Sequence, residues 1–173
     1  MSAVSSIGVR NYALVTGAYW GFTLTDGALR MLVLLHFFKL GYSPFTLSFL
    51  FLLYEFFGIV TNLFGGWLAA RTGMRLTLVA GLALQALALA MLAGLQREWP
   101  VGLSVAYVMA SQALSGIAKD LTKMSSKSAI KALVPGEGRL FTWVALLTGS
   151  KNALKGLGFF VGAALLASAG FGG

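Results

Sequence analysis

The sequence predicts an all-α protein that crosses a membrane several times, and three observations carry that expectation. The chain is 58% hydrophobic and only 10% charged, whereas soluble domains carry about 25% charged residues. The charges that exist fall mostly between long apolar blocks, and the blocks are long enough to span a bilayer. The basic residues are also divided unequally between alternate connections, as the positive-inside rule requires of a polytopic protein.

A spanning helix needs about 20 predominantly apolar residues. Five segments meet that condition, over residues 12–38, 45–70, 76–95, 101–118 and 140–168. The first closes at KLGYSP, where Gly41 and Pro44 signal a turn. The second closes at RTGMR and the third at QREWP, and the fourth begins after Pro100, a residue suited to a helix start. The first block contains Asp26 and Arg30 and precedes no clear cleavage site, so it reads as a retained span rather than a signal peptide. With five crossings, Arg10, Arg71, Arg75, Lys123, Lys127, Lys131 and Arg139 share one side, and the other side receives Lys39 and Arg97. This bias places the N-terminus in the cytoplasm.

Between the fourth and fifth spans, residues 119–139 form a basic segment in which Lys119, Lys123, Lys127 and Lys131 recur every four residues along one helical face. It reads either as an interfacial amphipathic helix or as a cytoplasmic extension of the fourth span. The net charge of +8 marks the cytoplasmic face rather than a nucleic-acid footprint, because no water-soluble fold is left to present it. There is no cysteine and only one histidine, His36. Disulfides, thiolate nucleophiles and multi-histidine metal centres from this chain are thereby excluded. No metal, cofactor or enzyme activity is expected.

Ionisable residues at mid-membrane depth are costly and mark interior or aqueous surfaces. The first span holds Asp26 and Arg30, the second Glu55 with Asn62 seven residues later, the fourth Gln112, Ser115 and Lys119, and the fifth Lys151 and Lys155. The third carries no ionisable residue between Arg75 and Arg97 and is expected largely against lipid. Substrate-binding or translocation candidates are therefore Asp26, Arg30, Glu55, Asn62, Gln112, Lys119, Lys151 and Lys155. Alternatives stand beside these roles. Asp26 and Arg30 have the spacing of an i,i+4 pair, and Glu55 has the charge to neutralise a lysine of the fifth span. The excess of cations favours an anionic solute. Glycines at 58, 65, 66, 149, 156 and 158 suit close helix packing, and Gly158 and Gly162 have G-x-x-x-G spacing.

GWLAARTGMR, residues 66–75, resembles the loop motif G-x-x-x-D-R-x-G-R-R of the major facilitator superfamily. Gly66, Arg71, Gly73 and Arg75 match and would form the conformational loop; Ala70 replaces the acid and Met74 one basic residue. The missing acid leaves that gate to another group, such as Asp120. The longer blocks YWGFTLTDGALRMLVLLHF, FLLYEFFGIVTNLFGGWLAARTG, ALSGIAKDLTKMSSKSA and WVALLTGSKNALKGLGFF are similar to the ArsJ-type organoarsenical efflux permeases. That resemblance implies alternating-access export of 1-arseno-3-phosphoglycerate across a bacterial inner membrane. It also implies a functional link to a glyceraldehyde-3-phosphate dehydrogenase that makes the substrate, and hence arsenate resistance. Members have two six-helix halves around a central cavity. The five spans here are expected to be an incomplete N-terminal half, completed by a C-terminal half or a complementary subunit. The alternatives are a permease for another organic anion and a non-transporting membrane scaffold subunit.

Overall fold

The computed structural model describes residues 6–96, 98–133 and 137–168. Among them there is no strand; the elements are α1 (Ser6–Lys39), α2 (Pro44–Leu50), α3 (Leu52–Thr72), α4 (Met74–Ala93), α5 (Val101–Leu133) and α6 (Glu137–Ser168). Four segments are long and apolar enough to cross a membrane: Arg10–Lys39, Pro44–Thr72, Met74–Ala93 and Val101–Ala132. Helix α6, with 32 residues, matches them in length and lies along α1. Its described residues, with Lys151, Asn152 and Lys155 in mid-helix, are not among those reaching that apolar content.

The partition of side chains is the reverse of a soluble domain. Leu14, Phe45, Ile59, Leu63, Phe64, Trp67, Phe141 and Phe160 are exposed, while Thr16, Asp26, Gln85, Gln112, Ser115, Asp120, Ser125 and Ser126 are buried. Water would penalise such an apolar exterior, whereas lipid tolerates it and drives backbone and polar groups to find partners inside the protein. The chain is a polytopic helical membrane bundle.

The ends of the helices follow local chemistry. Gly41 and Gly73 have φ of +86° and +85°, a conformation that costs a residue with a Cβ; they close the turns after α1 and α3. Ser43 caps α2, its Oγ accepting from the Thr46 amide at 3.2 Å, with Pro44 opening the helix. The second predicted span is thus split into α2 and α3 at Phe51, whose amide bonds back to the Ser48 carbonyl in a tighter i−3 turn. The fourth continues without a break to Leu133. Of the two readings of the basic segment, continuation of the fourth helix is the one observed, but its face is not simply solvated: Leu121, Thr122, Ser125, Ser126 and Ile130 are buried, so residues 119–133 pack in the bundle.

Helices α1 and α5 form the centre. Helix α6 packs along the outside of α1, while α3 and α4 flank α5. Helix α4 exposes Leu76, Val79 and Leu87 but buries Gln85, Ala88 and Leu92. That buried face meets α5, where Ser115 donates to Gln85 Oε1 and Ser111 to the Ala88 carbonyl, both at 2.8 Å. No Cα of α3 lies within 8 Å of a Cα of α6, and on the side between them, backed by α1 and α5, Glu55 of α3 is exposed.

Close approach depends on glycine. A Cβ on Gly158 would collide with the Leu24 carbonyl of α1, and one on Gly162 would lie 2.5 Å from the Ala28 carbonyl. On the other helix of this seam, a Cβ on Gly27 would lie 2.6 Å from the Lys155 carbonyl. The G-x-x-x-G pair is therefore a packing seam between α1 and α6. Gly58 and Gly65 similarly face α5. Gly149 and Gly156 have nothing within 4 Å, so the packing role expected of them is not seen.

Candidate functional site

The predicted charges of α1, α3 and α5 converge on one residue that composition does not single out. Tyr54 of α3 is fully buried. Its position is set by Gly116 of α5, which lies against the Tyr54 backbone carbonyl so closely that a Cβ there would collide. One turn away, a Cβ on Gly58 would lie 2.8 Å from Asp120 Oδ2. Helices α3 and α5 can therefore approach closely here.

Helices α1 and α3 stand further apart, with no Cα of one within 8 Å of a Cα of the other. Long side chains cross the gap. Tyr54 Oη donates to Asp26 Oδ1 at 2.7 Å. Arg30 Nη2 donates to Glu55 Oε1 at 2.6 Å, and Lys119 Nζ from α5 donates to Glu55 Oε2 at 3.2 Å. One carboxylate thus holds two cations from two helices. The same cations lie against the Tyr54 ring, with Arg30 Cζ 4.0 Å and Lys119 Nζ 4.2 Å from its centroid. The ring's negative face offers partial compensation for their removal from water. Asp120 completes the cluster, with Lys123 at 3.4 Å and Lys119 at 4.0 Å.

This arrangement departs from two pairings allowed by spacing. Asp26 and Arg30 do not pair along α1, because each turns toward α3. Glu55 takes its cations from α1 and α5 rather than a lysine of the fifth span. A third expectation fails on distance. Asp120 faces Gly58, 13 residues before Arg71 on α3, which is roughly 20 Å at helical rise. It does not replace the acid missing from the loop motif. In that loop Arg71 lies over Trp67 at 4.3 Å, Gly66 is 3.5 Å from Met124 Cε as measured from an added Cβ, and Gly73 supplies the turn.

Within the cluster the acids Asp26, Glu55 and Asp120 balance the cations Arg30, Lys119 and Lys123. Lys151 and Lys155 of α6 are additional. Among the described residues neither has a carboxylate within 4 Å; Lys155 Nζ lies 6.0 Å from the Phe159 ring. Both lie near enough to Asp26 and Lys119 for electrostatic coupling, as is Lys155 to Arg30 and Lys151 to Lys123 and Lys127. The surplus positive charge is therefore on the α6 side of the cluster.

Unfilled hydrogen-bond capacity accompanies it. Arg30 Nε is buried without a partner, and so are both amide atoms of fully buried Gln112. Buried polar groups normally find partners, so these atoms carry unfilled hydrogen-bond capacity inside the bundle. Asn62 does not join the cluster: it is exposed, seven residues beyond Glu55. Tyr54 was not marked by the sequence, since a tyrosine within FLLYEFFG looks like any aromatic residue of an apolar span. Among the described residues, no group of three histidine, cysteine or acidic side chains is placed to hold a metal.

No family model, curated protein or solved structure matches this chain.

Proposed function

We propose that this bundle is part of a permease for an organic anion, with the side between α3 and α6 as part of the solute pathway. The observation that carries the proposal is the placement of Lys151 and Lys155. Among the described residues these two mid-helix cations have no carboxylate within 4 Å, and they border a cluster in which Glu55 and Asp120 already face Arg30, Lys119 and Lys123 while Asp26 is bonded to Tyr54. Retaining an uncompensated charge at such depth is costly, and a charged solute is a natural partner. Arg30, with a planar guanidinium already directed to Glu55 Oε1 and a spare Nε donor, suits paired oxygens of a carboxylate or phosphate.

The resemblance to organoarsenical efflux permeases makes 1-arseno-3-phosphoglycerate the specific substrate of this proposal, exported by alternating access. Its two anionic ends match a site with cations on opposite flanks, Arg30 and Lys119 on one and Lys151 and Lys155 on the other. Glu55, whose side chain is 57% exposed, occupies Arg30 and Lys119 in the empty site and is displaced from them by the solute. Further helices, from a C-terminal half or a second subunit, cover the exposed side of Glu55. The arginine and lysine bias supports a cytoplasmic N-terminus, and the resemblance implies a bacterial inner membrane.

The test is export by cells that express the whole reading frame together with an arsenylating glyceraldehyde-3-phosphate dehydrogenase. Arsenate resistance and extracellular organoarsenical are expected only when both proteins are present. Export of phosphorylated carboxylates without arsenic would support the broader anion permease instead, and no solute flux would favour a scaffold.

A further inference from the structure

A second site of different chemistry lies at the end of the bundle where α1 and α4 begin and α5 ends. There the three helices leave a groove of about 630 Å³. Leu14 and Val15 of α1 and Leu78 and Val79 of α4 line its length, and Ala129 and Ala132 of α5 lie behind them. Arg10 and Arg75 stand at its mouth, each about one turn nearer the helix start than these apolar side chains. Among the described residues no acid lines the groove. Neither arginine has a carboxylate within 4 Å among the described residues.

The start of α4 adds to the same field. Its N-cap, Gly73, provides no side-chain cap, and its first turn has no acid. Its leading amides therefore retain donor capacity beside Arg75. The groove thus has a cationic, donor-rich mouth and an apolar depth, both in a part of the molecule that faces outward. Leu14 and Val79 are more than half exposed.

We propose that this groove holds an anionic phospholipid, with its phosphate between Arg10 and Arg75 and an acyl chain along Leu14, Val15, Leu78 and Val79. A soluble phosphate would use the mouth but leave the apolar length uncovered; a neutral lipid would cover the length but leave both arginines without an anion. An anionic lipid satisfies both parts. Basic groups beside a bilayer attract such headgroups by an amount equivalent to about fivefold in affinity for each arginine. The lipid bridges the first helix to the α3–α4 turn, so its occupancy bears on the stability of that end of the bundle.

The experiment uses the purified chain in mild detergent, titrated separately with phosphatidylglycerol, phosphatidylcholine and inorganic phosphate. Retained lipid is counted by native mass spectrometry, and monodispersity is checked for every variant. The wild type is expected to retain one phosphatidylglycerol in preference to phosphatidylcholine, with inorganic phosphate a poor competitor. Combined Arg10→Gln and Arg75→Gln should weaken that retention about twenty-five-fold, whereas Arg10→Lys with Arg75→Lys keeps most of it. Leu78→Trp fills the apolar length without changing charge and should also lower retention. Lys39→Gln, at the opposite end, should leave it unchanged. Equal retention by the wild type, the glutamine pair and Leu78→Trp would overturn the site. Full competition by inorganic phosphate would overturn the lipid assignment in favour of a soluble anion.

Discussion

Helix α1 is held on two sides by opposite strategies. Toward α6 it meets a seam of backbone against backbone, made possible by Gly27, Gly158 and Gly162. Toward α3 no Cα comes within 8 Å, and the gap is crossed by Tyr54, Arg30 and Glu55 side chains. The first interface depends on the absence of side chains; the second depends on their length and charge. A close-packed seam on one side and a charged crossing on the other let the same helix anchor the bundle and border the proposed solute pathway. Charged crossings can exchange partners without moving the seam.

The largest effect is expected from breaking the seam. Gly158→Leu forces side-chain atoms into the Leu24 carbonyl, and neighbouring backbone cannot move aside as a flexible side chain could. A destabilisation of at least about 3 kcal/mol is expected, the upper end of the overpacking range. Gly149→Leu, in the same helix with nothing within 4 Å, should leave stability within about 0.5 kcal/mol. Thermal unfolding in detergent compares the two, and equal losses would contradict the seam.

A smaller effect is expected at the crossing. Tyr54→Phe keeps the ring beside both cations but removes the donor to buried Asp26. A loss of about 1.5–3 kcal/mol follows, the range for a hydrogen bond to a charged group. Tyr54→Leu should lose a further 1 kcal/mol or so as the cation contacts disappear. Identical stability of the phenylalanine and leucine variants would show that the ring contributes only volume.

The smallest effect on stability belongs to Glu55→Gln. In the purified chain its side chain is more than half exposed on the side proposed as the solute pathway, where water weakens both ion pairs, and a change below about 1 kcal/mol is expected. The functional change should be larger. With Arg30 and Lys119 released from the carboxylate, affinity for an added anion should rise several-fold in an equilibrium binding measurement. A fall in affinity would instead make Glu55 an organiser of the cations rather than their occupant.

Four of the five predicted spans were legible because apolar blocks report directly on the surroundings of a helix, whereas the fifth, interrupted by Lys151, Asn152 and Lys155, is a long helix whose described residues lack that apolar content. Asp26, Arg30, Glu55 and Lys119 were legible as costly mid-span charges, but their pairing was not. Spacing along α1 made Asp26 and Arg30 look like neighbours, while helix rotation directs both to α3. Tyr54 was invisible because its burial comes from Gly116 on another helix, 62 positions later in sequence. Residues 119–133 looked like a solvated basic face because the lysines recur every four positions. The intervening Thr122, Ser125 and Ser126 are small enough to pack inside the bundle despite their hydroxyls. Asn62 shares a helical face with Glu55, but two turns of rise separate it from the cluster.

The most direct test of the anion pathway is binding of 3-phosphoglycerate, as a phosphorylated carboxylate probe, to the purified protein and to Lys151→Gln and Lys155→Gln. Calorimetry on monodisperse samples separates affinity from expression, which cell resistance does not. Each lysine is expected to contribute a charge-assisted contact of about 1.5–3 kcal/mol, so each variant should bind at least about tenfold more weakly. An arginine replacement should recover part of the loss. Normal affinity in both glutamine variants would contradict the α6 cation site and return Lys151 and Lys155 to helix packing alone.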